Sequence, residues 1–178
     1  MSGHNKWSQI KHKKGITDAK KSQLFSKLAK FLTVEAKIAK GNASSPNLRA
    51  AIEKARKANM PLDNIERAIK KASDTGAQME SITYEAYGPG GAGIIIETLT
   101  DSKNRTAQDV KHILSKNEAS LAGIGAVKWA FSSSAGQAEK WMPTTTVSLE
   151  DEDLEKLEKL VDELEANDDV QEVFTNAE

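Results

Sequence analysis

Apolar side chains between residues 17 and 73 recur every three or four positions, the spacing that places them on one face of an α-helix. Gly41 and Pro61 interrupt this pattern, so we predict three amphipathic helices over residues 17–40, 45–59 and 62–73. Each helix is too short to be stable alone, because helix nucleation is costly in water. The three helices are therefore expected to pack together as a small bundle.

The hydrophobic period changes beyond residue 77. Alternation over 82–87 and a β-branched apolar run over 93–99 predict two strands joined by a glycine-rich turn. The remaining predicted elements are a helix from 104 or 106, strands at 126–131 and 144–149, a leucine-bearing helix over 154–164 and a strand at 170–174. The order ββαβ–βαβ predicts an α+β sandwich with helices on one face of a mixed sheet.

Two domains follow from this change of period. Residues 1–76 are expected to hold a three-helix domain and an irregular arm, since residues 1–16 show neither helical nor strand spacing. Residues 77–178 are expected to form the α+β sandwich domain. The predicted fold class is therefore α+β.

Charge divides at the same place. Residues 1–78 carry 17 Lys+Arg against 6 Asp+Glu, and residues 79–178 carry 8 against 20. The formal net charge of −1 thus conceals halves of +11 and −12. A basic module of this kind favours a polyanionic partner over a lysine-rich terminus that merely aids solubility.

The basic arm is the strongest candidate site. Binding to phosphates needs cations placed along a backbone, and Trp7 among lysines adds a ring on which a base can stack. Lysine without arginine favours backbone contacts over base readout. The candidate nucleic-acid ligands in this half are His4, Lys6, Trp7, Lys11, His12, Lys13, Lys14, Lys20, Lys21 and Lys27.

A glycine-rich segment matches the dinucleotide fingerprint GxGxxG at positions 88, 90 and 93. That fingerprint needs a helix after it, whereas a strand is predicted here, so a hairpin turn is favoured. The turn holds more glycine than a tight hairpin requires, which permits close backbone approach to a partner. Its residues form a second candidate contact together with an arginine further on: Gly88, Pro89, Gly90, Gly91 and Arg105.

The sequence contains no pattern typical of a metal-binding protein, an enzyme or a membrane protein. Cysteine is absent and the three histidines have no carboxylates at ligand spacing, so neither a metal site nor another cofactor is expected. No spacing selects a nucleophile with its base, so we expect no enzyme. No stretch approaches the length of a membrane span and no secretory signal is seen, so we expect a cytoplasmic monomer without a membrane partner.

The acidic run 150–153 opens the last predicted helix, where carboxylates favour the helix dipole. A second interpretation is that the acidic half folds onto the basic arm as a polyanion mimic and lowers its non-specific affinity.

Several motifs resemble the YebC family, whose mitochondrial members are translational activators of cytochrome oxidase synthesis. In register along the chain they are GHNKWSQIKHK (3–13), DAK (18–20), FSKL (25–28), NMP (59–61), IERAIK (65–70), YEAYGPGG (84–91), LTDSKNRT (99–106) and PTTTV (143–147). The resemblance implies a helical N-terminal domain joined to α+β domains. It also indicates a shortened form, because residues 132–142 stand where the family carries a further α+β segment.

Members of that family are named probable transcriptional regulators, and are also linked to translation as ribosome-associated factors that relieve stalling. The resemblance implies that the basic arm and the 87–91 loop face ribosomal or transfer RNA. We therefore expect a non-enzymatic, ribosome-associated regulator of translation. Two alternatives stay open: a DNA-binding transcriptional regulator, and an adaptor that uses the acidic half. The third helix offers Asn64 and Arg67 for DNA readout, but no convincing turn precedes it.

Overall fold

The computed structural model describes residues 6–13, 15, 17–74, 78–133 and 141–178, without the side chains of residues 12 and 13. The helices are α1 (Lys6–Lys13), α2 (Asp18–Ile38), α3 (Pro46–Lys57), α4 (Leu62–Lys71), α5 (Lys103–Lys116) and α6 (Asp151–Glu165). The strands are β1 (Glu80–Tyr87), β2 (Gly93–Thr100), β3 (Ser120–Leu121), β4 (Phe131–Ser133), β5 (Trp141–Pro143) and β6 (Val170–Thr175).

Helices α2, α3 and α4 form the predicted bundle. Thr17 caps α2 by accepting a hydrogen bond from the Lys20 backbone N–H at 3.3 Å, and Gly41 follows its end with a φ of 76°. The apolar stripes meet in one core, in which Leu32 is fully buried. Full burial of such a side chain stabilises the fold by about 1.5–3 kcal/mol, so packing and not propensity holds these short helices.

The α+β domain is built on a four-stranded sheet in the order β3-β1-β2-β6. Ile94 and Ile96 face α5 and α6 in the main core, and Ile95 points to the opposite face, against Val127 and Phe131. Helices on one face of the sheet are thus confirmed. The expectation of a mixed sheet is wrong, because every pair of neighbouring strands is antiparallel.

Two predicted strands take other forms. The segment 126–131 is a 3₁₀ turn at Lys128–Ala130 that leads into β4, which pairs with β5 in a separate hairpin. The reason is Glu85, whose carboxylate accepts the backbone N–H groups that a strand would use for pairing. The segment 144–149 contributes only a parallel bridge from Val147 to Ala177, because the backbone N–H groups of Thr144 and Thr145 donate to the Ala130 carbonyl oxygen instead.

Residues 6–13 are helical, so the prediction of an irregular arm is wrong. Trp7 is 7% exposed and packs, with Ile10 beside it, in the core of the α+β domain. These two residues lie three positions apart, which puts both on one side of α1. The basic N-terminal segment is therefore docked on the acidic domain. The predicted boundary near 76 falls within 75–77, outside the described residues.

Candidate nucleic-acid interface

Lysines on the inner side of the basic half meet carboxylates of the acidic half. All four carboxylates belong to α6, to β6 or to the turn between them. The pairs are Lys6–Asp151, Lys20–Asp162 at 3.5 Å, Lys30–Asp169 at 2.8 Å and Lys54–Glu172 at 3.4 Å. In the described part of the chain, these contacts partly neutralise the basic half from within the molecule.

Lys27 is almost completely buried. The residue is 8% exposed, and its Nζ donates to the Glu165 carbonyl oxygen at 2.5 Å. Burial lowers the pKa of Lys27 and raises that of the Glu165 carboxyl. The prediction that Lys27 contacts phosphate is therefore wrong, because a polyanion cannot reach an ammonium group enclosed between α2 and α6.

Asp169 is the centre of the contact between the domains. Its Oδ1 accepts a hydrogen bond from Lys30 of α2, and its Oδ2 accepts hydrogen bonds from Arg105 at 2.8 Å, Thr106 at 2.8 Å and Thr100 at 3.2 Å. Burial alone would raise the pKa of Asp169, but the hydrogen bonds from Lys30 and its other partners hold it well below the usual range. The carboxylate thus stays charged and links the bundle to the sheet.

Arg105 belongs to this network. Its guanidinium also donates to Asp101 at 2.9 Å, and the hydrogen bond that it donates to Asp169, with the one that it donates to Asp101, raises the pKa of Arg105. Half of the side chain is exposed, but both of its carboxylate partners hold it against the α+β domain. Both contacts use Nη2 and tie Arg105 to carboxylates of its own chain, so the predicted contact with phosphate gains no support from its placement.

The other candidates in the arm differ in their surroundings. Trp7 presents no ring face to a base, so the stacking role predicted for it is contradicted by its burial. Lys11 and Lys21 are exposed, and Lys21 also lies 5.7 Å above the Phe25 ring. The remaining predicted ligands lie outside the described residues or have undescribed side chains: His4, His12, Lys13 and Lys14.

The glycine turn is explained by packing within the domain. Pro89 is buried, and a Cβ on Gly88 would stand 2.7 Å from Ile94 Cδ1. Gly90 has a φ of 64°, and a Cβ there would stand 2.4 Å from Leu149. Only Gly91 faces open space. The surplus of glycine therefore serves the close fit of the turn against β2 and the start of α6.

A cleft with a volume of about 780 Å³ lies between the helical bundle and the α+β domain. Three lysines and five carboxyl groups line it: Lys20, Lys27, Lys54, Glu35, Glu97, Asp162, Glu165 and Glu172. Burial raises the pKa of Glu35. Because carboxyl groups outnumber the cations, the cleft is a poor place for a nucleic-acid backbone.

Apart from Arg67, which was considered for DNA readout, sequence reasoning missed a second set of cations, which we call the outer cationic stripes. They are exposed, and in the described part of the chain they form no ion pair: Arg49 and Arg56 on α3, and Arg67, Lys70 and Lys71 on α4. The α4 stripe lies opposite the buried side of that helix, and the α3 stripe lies roughly 150° around its helix from Lys54. The sequence did contain a signal for these stripes: the spacing i, i+3, i+4 on α4 and the spacing i, i+7 on α3 each place cations on one side of a helix.

The fold and these charges define an α+β protein with a cationic helical module at its N-terminal side. The family model described as the TACO1/YebC protein N-terminal domain matches residues 5–75. The model described as the TACO1/YebC second and third domain matches residues 79–139 and 133–177. The chain belongs to the TACO1/YebC family. The shortened internal segment stays a prediction.

Relatives and a solved structure agree with this assignment. A probable transcriptional regulatory protein of Fervidobacterium nodosum is 40% identical over 235 residues, covering 99% of this chain and 93% of that protein. One from Dictyoglomus turgidum is 43% identical over 184 residues, covering 100% and 72%. The crystal structure of a conserved hypothetical protein from Aquifex aeolicus has a TM-score of 0.82 at 32% identity, covering 97% of this chain and 96% of that one.

Two features are absent from the described residues. None of their helices combines the length and apolar character needed to cross a membrane. No group of three or more His, Asp or Glu side chains among them is arranged to hold a metal ion.

Proposed function

We propose that this protein binds structured RNA at the ribosome and regulates translation. The outer cationic stripes carry the proposal, because their basic side chains are exposed and form no ion pair among the described residues. Lys11 and Lys21 are exposed as well and add two further cations to the basic half. Each lysine or arginine placed on a phosphate releases a counterion, which makes such binding strongly dependent on salt.

DNA binding is the second candidate function, and one observation favours it. Helices α3 and α4 are joined by only four residues, 58–61, with Asn59 at a φ of 60°. This is the turn length of helix-turn-helix units, so the expectation that no suitable turn precedes α4 is wrong. Against it, Asp63 is exposed in the first turn of α4, where a recognition helix approaches the bases and phosphates.

Sedimentation with ribosomes separates the two functions. At matched salt, the full chain should move with ribosomes and bind ribosomal RNA more tightly than duplex DNA of equal length. If the protein stays in the soluble fraction and protects one promoter from cleavage, the RNA proposal fails and the DNA candidate stands. A chain that binds neither would refute both.

A pair of charge-matched variants tests the stripes. With a single-stranded RNA as the probe, replacing Lys70 and Lys71 with Gln should make the negative slope of log K against log salt shallower by about 1.4, since each lost phosphate contact accounts for about 0.7. The control is Lys54→Gln with Lys57→Gln, which removes two lysines that already hold carboxylate partners. Titrations at several salt concentrations measure both slopes. Equal slopes in the two variants would contradict the assignment.

Neutralising the acidic partners tests whether the acidic half masks the inner lysines. The substitutions Asp151→Asn and Asp162→Asn free Lys6 and Lys20, so RNA affinity at low salt should rise. Glu155→Gln is the control, because Glu155 is exposed on α6 and has no cation partner in the described part of the chain. An equal rise in the control would show a general charge effect. Deleting α6 would be uninformative, since its leucines fill the core.

A further inference from the structure

Three large apolar side chains stand exposed at the end of the sheet where β1 leads into the glycine turn. Tyr87 is 44% exposed, Trp129 69% and Ile124 99%. Tyr87 is the last residue of β1, and Ile124 and Trp129 belong to the segment that follows β3. That segment covers the face of the sheet opposite α5 and α6. Exposed aromatic side chains held together in this way typically mark a binding surface.

The two aromatic rings are fixed by one acceptor. The Tyr87 hydroxyl donates to the Ala126 carbonyl oxygen at 3.0 Å, and Trp129 Nε1 donates to the same oxygen at 2.9 Å. The two donor atoms therefore lie no more than about 6 Å apart. With the polar atoms satisfied on the protein side, the ring faces are what remains for a ligand.

The backbone beneath the rings is held as well. The carboxylate of Glu85, which is buried, accepts the backbone N–H groups of Gly125, Val127 and Lys128 at 2.7, 2.7 and 2.9 Å. Burial alone would raise the pKa of Glu85, but these hydrogen bonds outweigh it and lower the pKa. A surface fixed in advance loses little conformational entropy on binding.

The charge around the rings fits a polyanion. The stretches 86–96 and 119–133 contain no Asp or Glu, and Lys128 is their single charged residue. The pairing of β1 with β3 sets these two stretches side by side, with Ala86 opposite Leu121 and Tyr87 opposite Ser120. The Glu85 carboxylate beneath them is buried and bound by three backbone N–H groups, so the exposed side chains of these two stretches present only the cation of Lys128 to a phosphate backbone.

We infer that Tyr87 and Trp129 form a stacking platform for unpaired bases of single-stranded RNA. The inference rests on the proposed RNA-binding function and names a second site for it, apart from the outer cationic stripes. Stacking of a base on an aromatic ring is tolerant of sequence because every base has a π-face. The platform therefore takes an unstacked loop or end, while the stripes contact phosphates.

The test uses an unstructured ten-nucleotide RNA and an RNA duplex as probes, with the full chain. Trp129→Ala should weaken binding of the single strand about 5- to 150-fold and leave the duplex affinity and the unfolding midpoint unchanged. Trp129→Phe should retain most of the affinity, because it keeps a ring. Leu62→Ala is the control, an apolar side chain 55% exposed on α4.

Each other result overturns the inference. If Trp129→Ala binds the single strand normally while Lys70→Gln with Lys71→Gln weakens it, the platform is refuted and the RNA function stands. If the wild type binds neither RNA, both fail together. If Trp129→Ala instead abolishes a concentration-dependent dimer or a protein contact on the ribosome, with RNA affinities unchanged, the surface is a protein-docking site.

Discussion

Replacing Asp169 with Ala is expected to lower the free energy of unfolding by about 3 kcal/mol or more, the scale found when one partner of a buried ion pair is removed. The change leaves the Lys30 ammonium, 19% exposed, without its carboxylate and removes the acceptor of two threonine hydroxyls. Because Lys30 belongs to the bundle, the contact between the two domains should weaken as well. Denaturant titration of the purified variant measures the loss.

The neighbouring residue provides the control for this variant. Asp168 is exposed, so Asp168→Ala should change stability by no more than about 0.5 kcal/mol. A loss of similar size in both variants would show that net charge, and not the Asp169 network, sets the effect.

Acid should abolish the same contribution. The pKa of Asp169 is lowered in the folded chain, so its stabilisation is complete above the unfolded value of about 3.9 and is lost as pH falls below it. The difference in stability between wild type and Asp169→Asn should therefore be constant near neutral pH and shrink in acid. A difference that grew on acidification would contradict the assignment of the charge.

Replacing Trp7 with Ala is expected to cost about 3–5 kcal/mol, since the ring is buried among the apolar side chains of the α+β core. Loss of this anchor should also release α1 from the acidic domain. The matched variant is Trp129→Ala, which removes the same side chain from an exposed site and should change stability by no more than about 0.5 kcal/mol. Chemical unfolding of the two variants gives the comparison.

The opposite result would support the sequence-based prediction that Trp7 stacks on a base. If Trp7→Ala unfolded like the wild type and lost RNA affinity, Trp7 would be the base-stacking ring and α1 a mobile arm. The structure predicts that the two tryptophans divide these roles, with Trp7 in the core and Trp129 at the surface.

The regular parts of the fold were predictable because their signal is local. Helices α2, α3 and α4 repeat apolar residues at helical spacing, and β1 and β2 alternate or run apolar around a glycine turn. Helix α1 was missed because two apolar residues, Trp7 and Ile10, are too few to establish a period. The 126–131 segment was misassigned because Glu85, some forty residues earlier, takes its amide hydrogens.

The candidate site was predictable in kind but not in detail. Lys21 and Lys27 lie on one helix and carry the same charge, yet Lys21 is exposed and Lys27 is enclosed against the end of α6. Nothing in the residues around them distinguishes the two, because the covering group is a carbonyl 138 positions away. The cationic stripe on α4 could have been predicted from the spacing of its residues. That these cations form no ion pair with the described carboxylates could not be predicted, because it depends on the packing of the two halves.

By itself, the sequence determined the two halves of opposite charge, the helical bundle and the antiparallel hairpin around which the second domain forms. The tertiary structure alone decided which cations remain available. It placed Lys6 beside Asp151, 145 positions away, and Lys30 beside Asp169, 139 positions away. Periodicity and composition report on neighbours along the chain, whereas charge neutralisation depends on neighbours in space, which exist only once the domains have packed.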